Sequence, residues 1–407
     1  MNFVNPFIAL LPDAARVSDL TAVPYDVVTE TEVRAIVERN PLSFLRMTRP
    51  EVNFPIGIDP HSEQVYHKAR EVFQASLAAD HFTRDTAPAV YVYSQSISDH
   101  SQRGLVCCYP VDLYDEGLIV KHENTRADKE KDRTDHLLAV SCHPGPLFLA
   151  YRDIAGIDAI LERETKRPPL YDLTSEDGVS HQVWKISNPE VLAEIREGFS
   201  SIPNLYIADG HHRAAAASRA RATLRAANPR HNGSEDYNFS LGVMFPADQL
   251  RILPYNRVIV RLPSDASTFL KELSSKFNIF ETEQPRPREK GRVNLYLGGK
   301  WWQCKLEPVL GSVLDQMDVN QLQQQILQPF LGITNPRTDK NIDFIGGTDS
   351  IDKIERRVQS GEAQMGISLY PTQMDEFLAV SDARQLMPPK STWFEPKLRS
   401  GFFIHTF

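Results

Sequence analysis

Cysteine is scarce in this chain and long apolar runs are missing. The 407 residues contain four cysteines, Cys107, Cys108, Cys142 and Cys304, with no CxxC spacing among them. A zinc knot or a disulfide framework is therefore not expected. Cys107 and Cys108 are neighbours in an apolar strand-like run, where successive side chains point to opposite faces; buried thiols in a reducing compartment are the expectation. No stretch approaches the roughly 20 apolar residues that a membrane-spanning helix requires. The opening MNFVNPFIALLPDAARVSDL places no basic residue before its apolar ones, which argues against a secretory signal and for a cytoplasmic location. Positive charge is not in excess either. Forty-five basic and 53 acidic side chains give a net charge of −8, a balance that disfavours general binding to nucleic acid or to an anionic membrane. The GxxxxGK[ST] phosphate loop and the GxGxxG dinucleotide pattern are both missing, so any nucleotide phosphate must be held by a less common fold. There is no internal repeat and no low-complexity segment.

What remains reads as an α+β protein in three parts. Residues 1–87 are mainly helical: Thr29 or Thr31 caps a helix that stops before Asn40-Pro41, and a second helix places Val65, Ala69, Val72, Phe73 and Leu77 on one face. Residues 88–260 change period. APAVYVYSQSI, RGLVCCYPVDLY, PLFLAYRDI, HQVWKISN, NLYIAD, NFSLGVMFP and ILPYNRVIVRL read as strands of a mixed-sheet core, with NPEVLAEIREGFSSIP as a capped helix. Residues 261–407 return to mixed structure, with a hairpin expected around Gly298-Gly299, and are expected to close over the core.

Chemistry concentrates in three places. The first is YIADGHHRAAAASRARATLRAA, residues 206–227, an apolar strand stub that passes through Gly210 into an alanine-rich helix. Such a corner aims first-turn N–H groups and the positive end of the helix dipole outward, an anion site in waiting. Arg213 in that first turn opposes the dipole and calls for a negative partner. Asp209 as a mere cap, with His211 and His212 as incidental surface groups, is the plain alternative. The second is Lys121–His136, sixteen residues with five basic and five acidic side chains and two histidines between apolar ends. His122 and Glu123 come directly off a strand, where a carboxylate can be held to accept a hydroxyl proton; Arg126 and Arg133 can neutralise phosphate. The third is MPPKSTWFEPKLRSGFF, in which Lys390, Ser391, Thr392 and Lys397 can hydrogen-bond a phosphate or carboxylate, while its aromatic residues can dock the terminus. VPYDVV, with Tyr25, is a weaker signal that Pro24 explains as a turn.

YIADGHHRAAAA resembles the strand–turn–helix motif of the ParB/sulfiredoxin-like core, in the DGHHR form associated with free-serine kinases of that superfamily. PYDVV, NPLSFLRM, KHENT…DRTDHL, IADGHHR and MPPKSTWFEPKLRSG together resemble, in order and over nearly the whole length, a large bacterial and archaeal family of unknown function. The resemblance implies a ParB/sulfiredoxin-like mixed-sheet core and a kinase that moves a phosphoryl group from ATP, or another nucleoside phosphate, with Mg²⁺ to a small hydroxyl compound, L-serine favoured. Glu123 would be the base. Asp209 would position the hydroxyl or the metal ion, and His211 would act with them. Gly210, His212 and Arg213 would hold phosphates. Independently of the resemblance, the residues' own chemistry makes Arg126 and Arg133 candidate phosphate ligands and His122, Lys390, Ser391 and Thr392 candidate substrate ligands. The family pattern reads His-Glu-Lys-Thr where this chain has Asn124 before Thr125, so Lys121 or Arg126 must replace that lysine's charge. The rival expectation is a ParB-like nucleotide switch or nucleotide hydrolase without small-molecule kinase activity.

Overall fold

The alternation that begins at residue 88 forms a long hairpin, β1 (Val90–Ile97) and β2 (His100–Pro110). In the computed structural model, which describes residues 2–407, this hairpin lies within an eight-stranded mixed sheet. Its other strands are β3 (Ile119–Val120), β4 (Leu147–Tyr151), β5 (Tyr171–Thr174), β6 (Ser180–Ile186), β7 (Leu205–Asp209) and β8 (Phe239–Pro246). The spatial order is β3-β7-β4-β8-β2-β1-β6-β5. β7 runs parallel to β3, and β8 parallel to β4; the other neighbours are antiparallel. The architecture is α+β, as the sequence leads one to expect.

The chain divides into two units. The first comprises Met1–Val120, Thr125–Leu250 and Pro396–Phe407; the second comprises Lys121–Asn124 and Arg251–Glu395.

In the first unit, helix α1 (Glu30–Arg39) starts at a capping box in which Thr29 and Glu32 satisfy each other's backbone N–H groups. Helix α2 (Glu63–Ala78) buries Val65, Tyr66, Ala69 and Phe73 at helical spacing. Helix α3 (Ala127–Val140) occupies most of the charge-dense segment. It buries Glu130, Asp132, Thr134 and His136 along with Leu137 and Val140, so its inward face is largely polar. Helix α4 (Pro189–Ser200) is capped by the Asn188 side chain; its Ile195 and Phe199 join Val92, Leu105, Leu149 and Ile207 of the sheet in one apolar core. Helix α5 (His211–Ala227) follows β7 and packs on α3. Ala214, Ala215, Ala216, Ala217 and Ala220 are buried, and their small side chains allow this close approach.

The second unit is built on a six-stranded antiparallel sheet: β9 (Asn256–Ile259), β10 (Ile279–Thr282), β11 (Arg292–Leu297), β12 (Lys300–Lys305), β13 (Ile342–Ile345) and β14 (Met365–Leu369), in the order β10-β12-β11-β14-β9-β13. β11 and β12 form the expected hairpin, with Gly298 and Gly299 both at positive φ. Helix α6 (Ala266–Ser274) is capped by Asp265 and buries Phe269 and Leu273. All four cysteines are buried and free of disulfides. Among the described residues no helix is long and apolar enough to cross a membrane.

Candidate functional site

The corner after β7 is shaped by two local features. The pairing of β7 with β4 slips between Ile207 and Asp209, a bulge that re-aims the strand's last side chain. Gly210 then turns the chain at φ 101°. A Cβ at that position would lie 2.8 Å from both Arg213 Nε and Leu147 Cδ1, so backbone and space both demand glycine.

Asp209 receives two cations. Lys397 Nζ donates to Oδ1 at 2.8 Å and Arg213 Nη2 donates to Oδ2 at 2.7 Å. The negative partner that Arg213 calls for is therefore Asp209, four residues earlier at the end of β7. Arg213 Nη1 also donates to the Pro146 carbonyl, while Arg213 Nε is buried without a hydrogen-bond partner. An unsatisfied buried donor of this kind costs about 1–3 kcal/mol. Lys397 is delivered by the terminal segment. Gln95 Nε2 donates to the Lys397 carbonyl at 2.9 Å, and Gln102 Nε2 donates to Gln95 Oε1 at 3.0 Å; both glutamines are fully buried strand residues.

Next to the corner, the Arg126 backbone N–H donates to His212 Nε2 at 3.1 Å, which ties the first turn of α5 to the start of α3. That bond makes His212 an acceptor at Nε2, not a phosphate donor at that atom. The Arg126 guanidinium forks onto Asp128 at 3.2 and 2.8 Å and stays half-exposed. Glu130 binds Thr125 and Arg219; burial alone would raise its pKa, but these two donors hold it below the usual carboxylate range.

Arg133, expected to neutralise phosphate, is a largely buried guanidinium paired with Asp132 at 2.8 Å and lying 4.3 Å from the centre of the Tyr25 ring. Asp132 also accepts from Tyr66 at 2.9 Å and is bonded to His61 Nδ1 at 3.0 Å. Burial raises its pKa, but Arg133 and these hydrogen bonds outweigh it and keep the carboxylate ionised. Tyr25, a weak signal in the sequence, thus belongs to the largely buried cluster around the Arg133–Asp132 pair.

The second unit brings together two segments that the sequence singles out separately, 121–124 and 387–392. The Met387 N–H donates to the His122 carbonyl at 2.8 Å, and His122 Nε2 is 3.1 Å from Thr392 Oγ1. The imidazole is 1% exposed and meets the Phe377 ring edge-on. Glu123 Oε2 accepts a long 3.4 Å bond from the Lys390 N–H. Lys390 has φ 59°, a left-handed backbone uncommon for a residue with a side chain. Ser391 is buried and donates to the Pro388 carbonyl at 2.7 Å. Ser391 and Thr392 thus help to fix this segment. Sequence reasoning passed over Arg257. It is 2% exposed and donates to the carbonyls of Tyr255, Pro389 and Lys390. Burial lowers its pKa to about 10, against opposing effects of Tyr255 and Glu123. A lone arginine in the strand-like YNRVIV was the available signal.

Among the described residues there is no group of three or more His, Cys, Asp and Glu side chains able to hold a metal ion.

An α+β fold with a cationic strand–glycine–helix corner defines the class. The chain belongs to the family described as Protein of unknown function (DUF1015), which matches residues 4–324. Three solved structures are similar at low identity. A conserved hypothetical protein from Pyrococcus furiosus is 12% identical with a TM-score of 0.36, over 72% of this chain and 92% of that one. A free serine kinase in complex with AMP is 11% identical with a TM-score of 0.37, over 71% and 86%. SbnI with a C-terminal truncation, from Staphylococcus aureus, is 10% identical with a TM-score of 0.35, over 72% and 84%. No curated protein matches the chain.

Proposed function

We propose that this protein is a small-molecule kinase that transfers the γ-phosphoryl group of ATP, or of another nucleoside phosphate, to a free hydroxyl, with L-serine the favoured acceptor. The observation that carries the reading is the convergence of Lys397 and Arg213 on Asp209 at the N-terminus of a 17-residue helix. Two cations meet one carboxylate there, and the first-turn N–H groups add the positive pole of the helix dipole. Phosphoryl transfer asks little covalent chemistry of a protein and much charge neutralisation and placement. The resemblance of DGHHR to free-serine kinases supplies the acceptor class.

In this reading Gly210 lets the chain approach the phosphates, and Arg213 and Lys397 exchange Asp209 for phosphate oxygens. His211 and Arg126 flank the same corner. Asp209 supplies a carboxylate that suits an ion arriving on the nucleotide and keeping most of its water, as Mg²⁺ does, better than an ion caged by protein ligands. Mg²⁺ would neutralise charge on the transferring group. Glu123 is the base that takes the proton from the acceptor hydroxyl; His122 and the Lys390 backbone hold the segment that carries it.

The test is a panel of small hydroxyl compounds, serine included, incubated with protein, ATP and Mg²⁺, alongside titration calorimetry with ATP and ADP and a DNA shift assay at physiological salt. Serine-dependent nucleotide turnover supports the kinase. Nucleotide binding with no acceptor-dependent turnover would move the protein to a ParB-like switch or hydrolase.

A further inference from the structure

We infer that the small cavity between the Pro24-Tyr25 turn, α3 and α5 is a carboxylate pocket that takes the acid end of a small hydroxy or amino acid. All of its lining residues belong to the first unit. They include Tyr25, Arg133, His136, His143, Arg213 and Ser400, and no aspartate or glutamate. Two guanidiniums and a phenol thus face a space with no competing carboxylate in its wall. The volume, about 40 Å³, holds roughly three water molecules. That suits a carboxylate and its neighbouring carbon and excludes a nucleotide.

Glycine keeps the wall open: a Cβ on Gly145 would lie 2.8 Å from Ser400 Oγ and 3.9 Å from Arg213 Nη1. Tyr25 is raised to about 12, first by burial and then by the Asp26 carboxylate, with Arg133 and Arg213 acting in the opposite direction, so the phenol keeps its proton and both arginines are felt at its hydroxyl. His136 and His143 are held neutral by burial. Asp132 and Asp209 pair with the two guanidiniums from outside the lining. Buried Arg213 Nε still has a donor with no acceptor.

Only the naming of the occupant as the acceptor rests on the kinase reading; binding itself does not. The experiment is titration calorimetry on the full chain without nucleotide, using L-serine, glycolate, ethanolamine and inorganic phosphate as probes. L-serine and glycolate are expected to bind saturably, while ethanolamine, which has the hydroxyl and amine but no carboxylate, does not. Arg133→Gln should weaken serine about 10- to 100-fold, the worth of a charge-assisted hydrogen bond, and Tyr25→Phe about 3- to 10-fold. Tyr25→Phe keeps the shape of the pocket and decides the matter if Arg133→Gln fails to fold. The inference is overturned if no carboxylate binds, if ethanolamine binds as well as serine, if phosphate binds and the carboxylates do not, or if folded variants bind serine like the parent. Carboxylate binding without turnover would sink the kinase reading and leave the pocket standing; phosphorylation of ethanolamine at the serine rate would do the reverse.

Discussion

Replacing Asp209 by Asn isolates the charge at the corner while keeping the shape of the side chain. The carboxylate is 24% exposed, and its partners Lys397 and Arg213 are 11% and 18% exposed. Breaking a fully buried ion pair costs about 3–5 kcal/mol, because the surviving charge stays desolvated. Water reaches a quarter of this carboxylate and screens part of the interaction, which leaves a loss of about 2–3 kcal/mol. Against a total stability of about 5–15 kcal/mol, that corresponds to a fall in melting temperature of about 4–12 °C for a unit of this size. Thermal and urea unfolding measure it directly. Magnesium-free ATP should restore more stability to Asp209→Asn than to the parent, since a polyphosphate supplies the missing negative charge. A variant within about 0.5 kcal/mol of the parent, or one that ATP stabilises no better than the parent, would refute the reasoning.

Two further outcomes follow from the same packing. Gly210→Ala must place a side chain at φ 101° and 2.8 Å from Arg213 Nε and Leu147 Cδ1; a loss of at least about 2 kcal/mol is expected from strain and overlap together, with weaker nucleotide binding by calorimetry, and unchanged binding would contradict the corner's role. Burial lowers His136 to about 4 and His143 to about 3, whereas in the unfolded chain both return to about 6.5. Between those values the unfolded state binds more protons, so this stability is complete above about pH 6.5 and is lost as pH falls toward the folded values. Each imidazole contributes a slope of up to about 1.4 kcal/mol per pH unit. Urea curves from about pH 7.5 down to about 4.5 should lose up to that much slope in His136→Gln, and an unchanged slope would contradict the assignment.

The corner was the most legible part of the chain. An apolar stub, a glycine and an alanine run specify strand Leu205–Asp209 and helix His211–Ala227 by local rules alone. The hairpin at Gly298-Gly299 was legible for the same reason. Helix α3 was not, because its buried face carries Glu130, Asp132, Thr134 and His136; a search for apolar periodicity reads such a face as a solvated run. The capture of Asp209 by Lys397, 188 positions away, was also hidden, since it depends on buried Gln95 and Gln102 anchoring the terminal segment. Lys397 could be named as a cation from sequence, but not its partner. The job of Arg133 was invisible until Tyr25 and Asp132 were placed around it.

The central claim is that ATP phosphorylates a small alcohol here with Glu123 as base. Phosphorus NMR of reaction mixtures holding ATP, Mg²⁺ and L-serine tests it most directly. The account predicts an O-phosphoserine resonance that grows with the parent protein and nearly vanishes with Glu123→Gln, while calorimetry finds ATP affinity unchanged in that variant. Equal product from both proteins, or ADP and inorganic phosphate accumulating with no phosphoserine, would contradict it.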